Sequence, residues 1–138
     1  SVLAYSGHRS PTSPKYRAHS MLSETNKDFL DQFAVPWMAV ETLQLGEFST
    51  ASDVWSYGVL VFEIFTFGSQ PYVNMPSGLS LNSDEDIRKY VTSGNRLELH
   101  PRIPESIQDL IRSTMVDADH RPTFSYIREN DVQRCGLC

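Results

Sequence analysis

Between Val54 and Phe65 the chain is apolar on nearly every side. Val54, Trp55, Tyr57, Val59, Leu60, Val61, Phe62, Ile64 and Phe65 leave only Ser56, Gly58 and Glu63 to interrupt the run. The alternation of a half-exposed strand is broken by Val59-Leu60-Val61-Phe62. A surface helix would show a polar face. The segment therefore reads as the most buried helix of the molecule, over residues 52–66, with Thr50 or Ser52 as its cap and Gly68 as its close. A buried strand is the alternative, since β-branched residues are frequent here. The run falls short of the roughly 20 residues that span a bilayer.

The remaining periodic segments are one-sided and pack around such a centre. Ser83, with Asp86 three positions on, resembles a capping box; Ile87, Tyr90 and Val91 follow on one face, and Gly94 ends the helix. His100 to Ile103 reads as extended, and Pro104 sits where a helix accepts proline, in the first turn. Ile107, Leu110, Ile111 and Met115 form the stripe of that helix. Thr123 can cap a last helix carrying Phe124 and Ile127. Four or five helices and no firm strand make the class mainly α.

Residues 1–35 differ. Ser, Thr, Pro, His and charged residues dominate, as in Ser10-Pro11-Thr12-Ser13-Pro14-Lys15, which reads as loop, with Phe29, Leu30 and Phe33 as a small apolar anchor. The chain has no initiating Met and no signal peptide, so it is expected to begin inside a longer protein or after processing. Seventeen acidic against twelve basic residues, a net charge of -5, argue against a nucleic-acid or anionic-membrane surface. Cys135 and Cys138 could form half of a zinc site or a redox pair, but His100 and His120 lie in unrelated segments, and a reduced tail is the simpler reading. The absence of a disulfide framework suits a reducing, cytoplasmic compartment.

Four stretches occur in the order, and at intervals, of one known family. Trp37-Met38-Ala39-Val40-Glu41 resembles the Trp-Met-Ala-Pro-Glu that ends a tyrosine kinase activation segment. Ser52-Asp53-Val54-Trp55-Ser56-Tyr57-Gly58-Val59 resembles the start of the central F helix, Phe67-Gly68-Ser69-Gln70-Pro71-Tyr72 the loop after it, and Asp119-His120-Arg121-Pro122-Thr123-Phe124 the segment before the last helix. Over about residues 33–130 the chain is thus similar to the protein tyrosine kinases. The resemblance implies a partial C-terminal lobe built around a buried central helix, with no N-terminal lobe. Its expected layout is an activation-segment-like loop over 1–35, the partial lobe over 36–132 and a tail over 133–138.

The resemblance also implies roles. Glu41 matches a glutamate that pairs with an arginine, here Arg121; a bidentate pair suits a fixed structural joint, although two unrelated surface charges would look the same in sequence. Asp53 matches the aspartate that holds the catalytic loop, and it also suits a helix first turn by charge alone. Trp55 reads as a core aromatic. Val35, Pro36, Trp37 and Met38 would form the shelf that receives the residue after the target tyrosine. Tyr16, between Lys15 and Arg17, lies where the family often carries a regulatory phosphotyrosine, or is simply an exposed loop residue.

The parts that hold ATP and magnesium are the other half of the expectation. No segment reads Gly-x-Gly-x-x-Gly. His8-Arg9-Ser10 and Asp28-Phe29-Leu30 imitate the catalytic motifs, but Ser10 would replace the base and Lys15 the metal-binding asparagine, and only a short stretch would separate Asp28 from Glu41. Val40 replaces the usual proline, and Pro36 stands where a basic residue is common. The sequence thus suggests a fragment of a tyrosine kinase whose complete parent, receptor-type or not, would use ATP and magnesium. The chain itself is expected to bind no cofactor or metal, to lack catalytic residues, and to partner a protein substrate or the rest of a kinase domain. The rival reading is a degenerate kinase-like regulatory module.

Overall fold

A computed structural model of the chain describes residues 15–17 and 34–135. The imitated motifs at His8, Arg9, Ser10 and Asp28, the Phe29, Leu30 and Phe33 anchor, and Cys138 lie outside the described residues.

In chain order the elements are a short strand β1 (Lys15–Arg17), a 3-10 turn (Val35–Trp37), helix α1 (Val40–Leu45), strand β2 (Glu47–Ser49), helices α2 (Thr50–Phe65), α3 (Asp84–Thr92) and α4 (Glu105–Thr114), a second 3-10 turn (Ala118–His120) and helix α5 (Phe124–Cys135). The molecule is mainly α, as its periodicity indicates. Two elements are additional to the sequence reading. A small antiparallel pair joins β1 to β2, with Tyr16 opposite Phe48, and α1 is an additional short helix. A three-residue strand is too short to show a period, and its pairing partner lies far away in the chain.

α2 is the segment expected to be central. Nine of its sixteen residues are buried, among them Trp55 and Val59 at 0% exposure. The expected caps are displaced at both ends. Ser49, rather than Thr50 or Ser52, is the N-cap: its hydroxyl accepts from the Ser52 amide while the Ser52 hydroxyl accepts from the Ser49 amide. Two helix-end donors are satisfied reciprocally, with serine doing what glutamate usually does. At the other end the left-handed position falls on Phe67 (φ 57°), not only on Gly68. The Gly68 amide donates to Glu63 O at 2.8 Å and the Phe67 amide to Ile64 O at 3.3 Å, the paired bonds of a Schellman close. α3 ends the same way with Gly94 in that position, where no side chain opposes the left-handed backbone.

One close approach fixes α2 against α4. A Cβ added at Gly58 would lie 1.9 Å from Thr114 Oγ1. The missing side chain therefore sets the interaxial distance, and Thr114 is fully buried beneath it. Ile107, Leu110, Ile111 and Met115 of the α4 stripe are all buried, as are Ile87 and Val91 of α3. Pro104 is the N-cap of α4 rather than its first residue. His100 to Ile103 closes a turn, the Ile103 amide donating to His100 O at 3.0 Å, where an extended run was expected. Thr123 caps α5 through a bond from the Tyr126 amide, but Phe124 is 40% exposed and only Ile127 of the expected pair is buried.

The apolar run of α2 is not covered all round. Leu60, Ile64 and Phe65 remain exposed, at 37%, 61% and 38%. Leu60 and Ile64 are one turn apart on the same face. The sequence pattern called for burial there, and the described residues do not provide it.

Candidate functional site

Arg121 and Glu41 are 80 positions apart in the chain and meet as a fork. Arg121 Nη1 donates to Glu41 Oε2 at 2.8 Å and Nη2 to Oε1 at 2.7 Å. Nη1 also donates to Ala51 O at 2.9 Å, and Nε to Val116 O at 2.8 Å. Every guanidinium nitrogen is thus engaged, and the side chain is 1% exposed against 18% for that of Glu41. The bonds tie α1, the first turn of α2 and the turn before α5 to one cation. The guanidinium carbon lies 5.0 Å from the centre of the Trp55 ring, and that of Arg96 lies at the same distance. Trp55 is a core aromatic, as read, but it also receives two cations, an attraction that desolvation strengthens. Sequence reasoning missed Arg96, which donates to Met115 O, Val91 O and Asn95 O; a lone arginine in a loop carries no periodic signal.

Asp53 lies in the first turn of α2 and is 6% exposed. It interacts with another group within the molecule. A carboxylate that deep is held rather than presented to solvent.

The four residues read in the sequence as a shelf divide. Val35 and Met38 are buried at 1% and 4% exposure. Pro36 and Trp37 are half-buried and face a groove of about 270 Å³ whose other walls include Pro71, Leu81, Asp84 and Ile87. The 3-10 turn that carries them has Pro36 at its start, where a fixed φ is favourable and the missing N–H is not needed. Trp37 is attached to α2 at two points. Its carbonyl accepts from Ser56 Oγ at 2.7 Å, and its indole N–H donates to Glu63 Oε1 at 2.7 Å. Glu63 was read only as an interruption in an apolar run. The signal that would have found it is a single carboxylate in that run together with a tryptophan needing an acceptor.

Tyr72 has φ 68°, is 1% exposed and carries a hydroxyl with no hydrogen-bond partner among the described residues; Trp55 Nε1 is in the same condition. Burial pushes the Tyr72 phenol well above its ordinary range, with the Arg96 charge opposing and the Tyr90 phenol adding to the rise. Burial also raises Tyr90, followed in effect by the charge of Glu98. Tyr16 is placed by its backbone alone, in β1.

Among the described residues no group of three or more His, Cys, Asp or Glu could hold a metal ion. Asp53 is buried in the first turn of a helix, and no step of phosphoryl transfer is assigned to the described residues. No helix among them is long and apolar enough to cross a membrane.

Residues 16–130 match the family model described as protein tyrosine and serine/threonine kinase. The chain is 40% identical over 107 residues to the tyrosine-protein kinase transforming protein ros of UR2 avian sarcoma virus, covering 75% of this chain and 25% of that protein. It is 41% identical over 96 residues to the human proto-oncogene tyrosine-protein kinase ROS, covering 69% of this chain and 4% of that protein. A Drosophila melanogaster relative, fibroblast growth factor receptor homolog 1, is 40% identical over 96 residues, 69% of this chain and 12% of its own length. The chain belongs to the protein tyrosine and serine/threonine kinase family. Its likeness is to tyrosine kinases, of whose length it spans a quarter or less in these three relatives.

Proposed function

We propose that this chain is the lower part of the C-terminal lobe of a tyrosine kinase, over residues 36–132, and that it supplies the substrate shelf and the structural joint but not the phosphoryl-transfer machinery. The observation that carries the reading is the bidentate Glu41–Arg121 fork stacked on Trp55. It ties the end of the shelf segment to the central helix, as a rigid support for a bound peptide requires. The exposed face of α2, at Leu60 and Ile64, fits a surface made to be covered by the rest of a kinase domain.

In this reading the complete parent moves the γ-phosphate of ATP, with magnesium, to a protein tyrosine. Pro36 and Trp37 receive the residue that follows that tyrosine. Asp53 holds the backbone of a catalytic loop. Residues 1–35 serve as an activation-segment-like loop in which Tyr16 accepts regulatory phosphate, and 133–138 form a tail. An intracellular kinase of receptor type is the parent that the fibroblast growth factor receptor homolog favours.

Phosphoryl transfer depends on positioning and on charge neutralisation at the transferring group. A chain without a nucleotide lysine, Gly-rich loop or aspartate base has neither. Purified chain given ATP, magnesium and a tyrosine-rich peptide is expected to form no phosphotyrosine. Reproducible product, abolished by a point change within the chain, overturns the reading. Saturable nucleotide binding without product favours a kinase-like regulator instead. Phosphopeptide mass spectrometry after treatment with an active tyrosine kinase tests Tyr16 separately, and an unmodified Tyr16 removes it as the acceptor.

A further inference from the structure

Among the described residues that line the groove beside the shelf, Trp37 is the one aromatic, and its indole is aimed by α2. An indole has a single donor and no acceptor. That donor is taken by Glu63 Oε1 at 2.7 Å, while two helical turns earlier Ser56 Oγ donates to the Trp37 carbonyl at 2.7 Å. The ring and the backbone of one residue are thus held by two side chains on one face of the central helix. Both Trp37 and Glu63 are half-buried, so the carboxylate is partly desolvated and the charge-assisted bond is stronger than a solvent-exposed one. Removing the acceptor leaves the ring free to leave the groove wall.

We propose that Glu63 is a positioning residue for substrate: by holding the Trp37 indole it sets the wall of the groove of about 270 Å³ that takes peptide C-terminal to the target tyrosine. This rests on the shelf reading above. Glu63 touches neither peptide nor phosphate. It acts through Trp37, and a glutamine, which keeps a carbonyl acceptor, should replace it while a leucine should not.

The test uses the 138-residue chain labelled with 15N at its two tryptophans, Trp37 and Trp55. The Trp55 indole is buried in the core and reports the fold; the Trp37 indole reports the groove. A tyrosine peptide with apolar residues after the tyrosine is titrated into the wild type, Glu63→Gln and Glu63→Leu. In the wild type the peptide should shift the Trp37 indole resonance and leave that of Trp55 in place. In Glu63→Leu the Trp55 resonance should stay, Trp37 indole exchange should speed up, and peptide affinity should fall by about tenfold, the scale of one charged hydrogen bond. Glu63→Gln should stay within about threefold of the wild type, since a neutral acceptor is about half as strong. If the peptide leaves Trp37 unshifted in the wild type, the shelf reading fails and takes the proposal with it. If the peptide shifts Trp37 but Glu63→Leu binds it as well as the wild type, the shelf stands and the role of Glu63 is refuted. Loss of the Trp55 resonance in Glu63→Leu makes Glu63→Gln decisive, and a tenfold loss there refutes the acceptor role.

Discussion

Arg121 places all three of its nitrogens against acceptors and its face against Trp55, so its removal harms several groups together. Arg121→Ala should destabilise the chain by about 3–5 kcal/mol, because Glu41 would be left without its partner in a partly buried place. Arg121→Lys should recover only part of this, since an ammonium cannot form the planar fork. Urea denaturation of the two variants measures both, and an unchanged midpoint in Arg121→Ala would show the fork to be idle. Tyr72 makes the opposite case. Its hydroxyl is buried with no partner among the described residues, so Tyr72→Phe should stabilise by about 1 kcal/mol by removing a desolvated polar group. The folded phenol ionises above its ordinary value of 10.0 because of burial. Stability from this group is therefore complete below pH 10, and declines as the pH rises above that value towards the folded one. Tyr72→Phe should flatten the alkaline limb of a stability-against-pH curve, and an unaltered limb would assign the decline to other groups.

The elements show how the same structural device can be filled well or badly. α3 closes with Gly94 in the left-handed position and α2 closes with Phe67 there, at φ 57° and 92% exposed. The ring is almost wholly in solvent and so returns little for the backbone strain. Phe67→Gly should raise stability by about 1 kcal/mol, read as a higher melting temperature; a fall would mean that the ring has packing value beyond what its exposure indicates. Gly58→Ala should act in reverse. With Thr114 Oγ1 1.9 Å from the new Cβ, α2 and α4 must separate, at about 1–3 kcal/mol. Adding Thr114→Ala should restore part of the loss, and if it restores none the clash is not the cause. The stripe of α4 and the apolar faces of α3 were readable because helical spacing survives any tertiary arrangement. The cap of α2 was misplaced by one to three residues, because a Ser-Thr-Ala-Ser run offers several caps that differ only in backbone angles.

For the whole molecule, the exposed Leu60 and Ile64 face of α2 is the largest departure from what an apolar pattern promises. A chain that presents this face should self-associate. Leu60→Lys with Ile64→Lys should lower association in sedimentation velocity while lowering the melting temperature by no more than a few °C, because Ile64 lies largely in solvent and Leu60, more than a third exposed, leaves a lysine stem room to carry its charge outward. Association that persists in the double variant would place the sticky surface elsewhere, and a large fall in melting temperature would mean the face is covered.

The sequence alone determined four of the five α-helices, that the class is mainly α, and to which family the chain belongs; α1, too short to show a period, was not readable. Those properties rest on local periodicity and on short motifs that keep their order along the chain. It also named Trp55 as a core aromatic, and Glu41, Arg121, Asp53 and the 35–38 segment by resemblance alone. Distances decided the rest. That Arg121 makes a fork, that Arg96 lies beside the same tryptophan, that Gly58 admits Thr114, and that Glu63 reaches Trp37 are contacts between residues far apart in the chain. Spacing along one chain carries no record of such pairs, because chain closure brings them together only after the helices have packed.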